Sequence, residues 1–199
     1  MLSQVYIRGK GRVPYDPTQL SFCDEVKLTN ADGSKISLCY EKEKTWSFGL
    51  PKFDTNNVSV KDKRYFLRTK FFRVVDAVNQ LTGPIAQYIH ANGEKFKVSK
   101  SEEEIKKMLM KDLFVARTLH TNVFIDITTG KPMDLSTLKS RFRTKVYVKP
   151  VVYIRNDDIY IDFEIVRATI STDLTNRQKV SSETNDENVN NNSEAVSNA

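Results

Sequence analysis

The sequence predicts an α+β domain, mainly β, in which two or three helices interrupt a run of strands. Three observations predict it. Apolar and polar residues alternate with period two through residues 35–41, 63–72 and 141–149. Helix-spaced apolar residues are concentrated in the middle, between Val74 and Leu109. Turn chemistry at Asn30-Ala31-Asp32-Gly33 and at Asn156-Asp157 divides the strand-like runs into hairpins. Strands, then helices, then strands again read as an α+β or barrel-with-helix arrangement.

The elements follow in order. Arg8-Gly9-Lys10-Gly11-Arg12 can be a flexible basic arm reaching a nucleic-acid backbone, set against the commoner reading of a frayed terminus, and no apolar stretch after these cations suggests a secretory signal. Residues 22–30 and 35–41 form a hairpin with Ile36, Leu38 and Tyr40 on one face. Cys23 and Cys39 lie inside these strands without metal-ligand spacing, and read as reduced core residues of a reducing compartment. After a loop at Gly49-Leu50-Pro51, residues 63–72 form a strong, aromatic-rich strand. Val74, Val75, Val78 and Leu81 recur at helix spacing until Gly83-Pro84 stops or kinks the run before Ile85, Tyr88 and Ile89. Ser101 and Glu104 make a capping box for a further helix, with Ile105, Met108 and Leu109 as its buried stripe.

Asn122–Ile127 is a strand ended by Thr129-Gly130-Lys131-Pro132. A long hairpin closes the domain, residues 141–154 and 159–170, pairing Tyr153 with Tyr160 and Lys149 with Glu164. Pro150 inside the first arm requires an edge or a bulge. The domain therefore spans residues 1–172. Residues 173–199, rich in Asn and Ser, form a disordered polar tail that buries too little apolar surface to offset the entropy of ordering.

Charge narrows the partners. The chain carries a net +6, yet residues 181–199 hold four acids and no Lys or Arg, so residues 1–180 carry +10. A basic body of this size favours polyanions, nucleic acid first. No run approaches the roughly 18 apolar residues of a membrane helix, and no membrane partner is expected.

Reading strands by alternate faces places the chemistry. In 141–149, Phe142, Thr144, Val146 and Val148 form a core face, while Arg141, Arg143, Lys145, Tyr147 and Lys149 form the other. In 64–72, Tyr65, Leu67, Thr69 and Phe71 suit the core, and Arg64, Phe66, Arg68, Lys70 and Phe72 share the opposite face. Cations interleaved with aromatic rings suit a sequence-tolerant single-strand binder, because every nucleotide offers a phosphate and a π-face. The first row can instead be a solvated outer face, though it has no acid to balance it, and the second can be a central strand buried on both faces, with Phe66 in the core and Arg68 paired with an acid. Trp46 and Phe48, between Lys44 and Lys52, are further candidates for base stacking, set against the commoner reading of a lone Trp as core.

Catalytic signatures are missing. Gly130-Lys131 is no P-loop, since Ile125 and Pro132 stand at the positions that motif requires for Gly and Ser or Thr. His90 and His120 lack zinc-ligand partners, and no nucleophile–base arrangement stands out. Asp157, Asp158, Asp162 and Glu164 could be drawn as a nuclease metal cluster, but the first two fit a turn and Glu164 faces Lys149. Neither an enzyme nor a cofactor is expected.

The stretch Lys145–Ile170 resembles the closing hairpin of single-stranded DNA-binding proteins of large DNA viruses, and of phage counterparts with an OB-fold. Arg64-Tyr65-Phe66-Leu67-Arg68-Thr69-Lys70-Phe71 followed by a helix, and Pro150-Val151-Val152-Tyr153, are similar to the poxvirus-type members. The resemblance implies an OB-fold-like antiparallel barrel elaborated by helices, and sequence-independent binding to single-stranded DNA. It also implies service in viral DNA replication, recombination or repair in host cytoplasm or nucleus, with replication proteins as partners of the tail. The tail departs from the family pattern, being Asn-rich and ending Ser197-Asn198-Ala199 rather than acidic with a terminal aromatic. The alternative is a virion or scaffold protein whose basic face meets genome or an acidic partner. A homo-oligomer is compatible with either.

Overall fold

The computed structural model describes residues 4–8, 10–28, 33–138, 140–155 and 158–172. The expected tail lies outside them, as do hairpin turn residues 30–32 and 156–157. The N-terminus is a hairpin, not a loose arm: β1 (Gln4–Ile7) pairs antiparallel with β2 (Gly11–Pro14). Val5 and Ile7 are 1% and 0% exposed, so their burial anchors a segment whose cations had suggested fraying. Gly11, at φ +84°, supplies the left-handed backbone at the end of its turn.

The next hairpin is β3 (Leu20–Lys27) with β4 (Gly33–Tyr40), as expected. Its cysteines are not reduced, however: Cys23 and Cys39 are joined in a disulfide with Cα atoms 5.9 Å apart. The pairing runs Ser21 to Cys39 and then shifts between Phe22 and Glu25, and this irregularity brings Cys23 beside Cys39 across the ladder. A bridge of this kind does not fit the reducing compartment read from the sequence. Short strands β5 (Trp46–Gly49), β6 (Phe53–Thr55) and β7 (Val58–Lys61) lead to β8 (Arg64–Thr69), the core of the strand expected at 63–72.

The helices are α1 (Phe72–Asn79), α2 (Thr82–Ala91), the single turn α3 (Gly93–Phe96) and α4 (Glu102–Leu109). The break between α1 and α2 falls at Gln80-Leu81, and Pro84 sits in the first turn of α2, where its missing N–H costs no intrahelical bond. The capping box of α4 is complete: the Glu104 N–H donates to Ser101 Oγ at 3.3 Å, and the Ser101 N–H donates to Glu104 Oε2 at 2.8 Å.

Strands β9 (Phe114–Thr118) and β10 (Phe124–Asp126) precede the long pair β11 (Phe142–Arg155) and β12 (Asp158–Ser171). That pair has the expected register, with Tyr153 opposite Tyr160 and Lys149 opposite Glu164. Pro150 lies where the other edge of β11 changes partner, between the segment on β5 and the one on β4, so no ladder on that side needs its N–H.

The sheet runs β2-β1-β5-β11-β12-β9-β8-β7, with β6 and β4 also on β11, β3 on β4 and β10 on β12. The path does not close, so it is not the antiparallel barrel implied by the OB-fold resemblance. It is also mixed. Both β9 and β10 run parallel to β12, at Phe163-Glu164 and Ala168–Ile170. They advance along one edge of β12 in the same direction, separated by a 3-10 turn at Thr121–Val123. Inward residues of the strands share one core with Val74, Ile85, Ile89, Ile105 and Leu109 of the helices. The helices therefore cover one face of the sheet. The opposite, outer face carries the half-buried and exposed positions of β8, β9, β11 and β12.

Candidate nucleic-acid interface

Alternation sorts the two cationic rows outward. Phe142, Thr144, Val146 and Val148 are buried, and Arg143, Lys145, Tyr147 and Lys149 are only half-buried. In β8, Leu67 and Thr69 are buried while Arg64 is exposed and Phe66 and Arg68 are half-buried. Residues directly opposite in a ladder share a face. Lys149 faces Glu164, Glu164 faces Arg117, and Arg117 faces Phe66. One line across four strands thus puts both rows on the same side of one sheet, three strand spacings or roughly 14 Å apart.

The rows approach each other at one end. Arg68, Lys70 and Arg141 line a cleft of about 390 Å³ together with Asp54 and Asn57. The chain between β6 and β7 brings them together: Thr55 Oγ1 donates to the Arg68 carbonyl at 3.0 Å, and the Arg68 N–H donates to the Asn57 carbonyl at 3.1 Å. Lys70 and Arg141 are exposed. The Arg68 guanidinium donates to Ser59 Oγ at 2.6 Å and lies 5.4 Å from the Phe66 centroid, and it forms no ion pair among the described residues. Lys145 Nζ is likewise 5.4 Å from the Tyr147 centroid.

Arg143 differs from its neighbours. It lies opposite Asp54 in the β6–β11 ladder, and its Nε–H donates to Asp54 Oδ1 at 2.8 Å. That bond holds its guanidinium pKa above the ordinary value, and the pair neutralises itself on the face where the sequence offered a free cation.

Two other assignments are corrected. Trp46 is 3% exposed and Phe48 is 0% exposed. The Trp46 indole N–H donates to the Leu38 carbonyl at 2.7 Å, and Phe48 meets Phe163 edge-on with centroids 6.1 Å apart. Both rings serve the core and offer no face to a base. Pairing of β5 with β1 and β11 buries them together with Ser47, and Gly49 alone of this strand is half-buried.

Several outer-face residues escaped the sequence reading. Between the rows lies a cavity of about 240 Å³ lined by Lys35, Arg64, Arg117, Tyr153, Asp162 and Glu164. Arg117 pairs with Asp162 at 2.6 Å, and Tyr153 stacks on Tyr160 with centroids 5.1 Å apart. Burial pushes the Tyr160 phenol above its ordinary pKa. Alternation within Phe114–Thr118 could have found Arg117, since Phe114, Ala116 and Thr118 are the inward set. Asp162 is thus engaged by a cation, Glu164 is exposed and Asp158 starts β12. Among the described residues no group of three or more His, Cys, Asp or Glu is arranged to hold a metal ion, and no helix is long and apolar enough to cross a membrane. No protein-family model, no curated protein and no solved structure matches the chain.

Proposed function

We propose that this protein is a non-catalytic, sequence-independent single-stranded DNA-binding protein whose outer sheet face is the interface. One observation carries the reading: two rows of cations with aromatic rings share that face and approach each other at Arg68, Lys70 and Arg141. Phosphates would meet Arg64, Arg68, Lys70, Arg141 and Lys145, and bases would stack on Tyr147 and Phe66. An OB-fold-like ancestry for the core, and a role in viral DNA replication, recombination or repair with partner proteins on the tail, belong to the same proposal.

The test is a titration of fluorescent oligo-dT and of a duplex of equal length over a range of salt. The five cations of the two rows, none in an ion pair among the described residues, contribute about −3.5 to the log–log salt slope on single strands. Tighter binding to the single strand is the expected result, and no binding at low salt overturns the reading.

The Cys23–Cys39 disulfide favours a second reading, because such bridges persist at virion surfaces and in other oxidising settings. On that reading the chain is a virion or scaffold protein whose basic face meets packaged genome or an acidic partner. Equal affinity for duplex and single strand, or none for either, would support it over the first.

A further inference from the structure

We infer that the slot between the N-terminal hairpin and β11 is a nucleotide subsite, which takes one base between Tyr6 and Tyr147 and its phosphates at Arg12 and Lys52. The inference rests on the single-strand reading above and extends the interface onto the N-terminal hairpin.

The ladder builds the slot. Tyr6 of β1 lies opposite Ser47 of β5, and Tyr147 of β11 lies opposite Gly49 of the same β5. Ser47 is buried, so on this face of β5 Gly49 alone opens into the cavity, with Tyr147 directly opposite it and Tyr6 on the diagonal. Two strand spacings separate β1 from β11, roughly 10 Å, a span that can admit a flat ring between aromatic walls. The cavity is about 190 Å³. Gly49 lets the Tyr147 ring lean over β5: a Cβ there would stand 3.0 Å from Tyr147 Cε1, and the ring would have to shift by a few tenths of an ångström.

Charge selects the ligand. Arg12 lies opposite Tyr6 on β2, Lys52 follows Pro51, and Lys145 holds its ammonium over the Tyr147 ring. No carboxylate lines the cavity among the described residues. Tyr6 is 46% exposed, so its ring is available. An acid-free, cationic slot between aromatic rings suits a planar ligand carrying negative charge, and a nucleotide of a single strand is that ligand. The slot, lined by Lys145 and Tyr147, lies along the β11 row from the Arg68–Lys70–Arg141 cleft, with Arg143 between. A strand bound along β11 would thus have a phosphate-gripping end and a base-gripping end.

The test uses the full chain and fluorescent oligo-dT. Tyr6→Ala and Tyr6→Leu should both weaken binding by about 5- to 150-fold, since leucine restores bulk without a π-face. The double variant Arg12→Ala/Lys52→Ala, which alters only exposed side chains, should flatten the salt slope by about 1.4. Gly49→Ala should weaken binding by displacing the Tyr147 ring. Thermal unfolding of each variant shows whether the fold survives. If the Tyr6 and Arg12/Lys52 variants bind like the parent while Lys70→Ala/Arg141→Ala is weakened, this subsite is wrong and the single-strand reading stands. If the parent does not bind oligo-dT at all, both fall.

Discussion

Asp54→Asn should make this protein grip single-stranded DNA with a steeper salt dependence. Asp54 holds Arg143 through bonds of 2.8 and 3.5 Å, and the two side chains are only 17% and 28% exposed. Pulling Arg143 away toward a phosphate would break a charge-assisted bond to a mostly buried carboxylate, so the parent should leave it out of the interface. The five cations of the two rows contribute about −3.5 to the slope, at about 0.7 per neutralised phosphate. Removing the carboxylate charge frees Arg143 as a further cation and should steepen the parent slope by about 0.7. Arg141→Ala should flatten it by about 0.7, and the neutral pair Asp54→Asn/Arg143→Gln should leave it at the parent value. Folding stability of Asp54→Asn should fall by about 1–3 kcal/mol, the usual worth of a hydrogen bond to a charged group in partly buried surroundings. Fluorescence anisotropy across a salt series reads all four proteins. An unchanged slope in Asp54→Asn, or a double variant as flat as Arg141→Ala, would refute the reasoning and mean that Arg143 exchanges partners on binding.

Three further outcomes are expected. Trp46, the sole tryptophan, should keep its emission when oligo-dT binds and should resist acrylamide, because its ring is sealed in the core; a quenching titration checks this. Glu25, held down to about 2 by Lys27, Ser34 and Lys95, stabilises the fold fully above its ordinary range near 4.5 and loses that contribution as pH falls toward 2. The two lysine head groups are largely in solvent, so the loss should be about 1–3 kcal/mol, visible as a steeper fall of Tm from pH 5 to 2 than in Glu25→Gln. Reducing Cys23–Cys39, which closes a loop of separation 16, should cost about 3 kcal/mol in denaturant unfolding. Alkylation with mass detection before and after reductant tests whether the bridge forms in the isolated protein.

Local rules made the closing hairpin legible, because a turn and two alternating arms determine a register without help from the rest of the chain. Tyr153 meets Tyr160 for that reason. The capping box of Ser101 and Glu104 was legible on the same ground. Long-range pairing was not. Arg143 lies 89 residues from Asp54, and nothing near either residue announces the other. The common face of the two rows depends on β12 and β9 intervening in a particular order, which alternation within single strands does not specify. The N-terminal hairpin was hidden by its composition: three cations and two glycines near the turn outweighed Val5 and Ile7, whose burial needs β5 beside them. Trp46 and Phe48 were drawn outward by neighbouring lysines, although β5 turns them inward.

The pairing of β11 with β12 shifts at Tyr147-Val148, where Val166 and Arg167 are both exposed between buried Ile165 and Ala168. Everywhere else in this hairpin, losing one residue would turn the remainder of a strand inside out. At this seam the extra residue is already absorbed, so removing Val166 would restore plain alternation on both sides. The domain therefore has one place within its longest ladder where chain length is negotiable, and a probe or an inserted residue could be tolerated there without inverting the sheet.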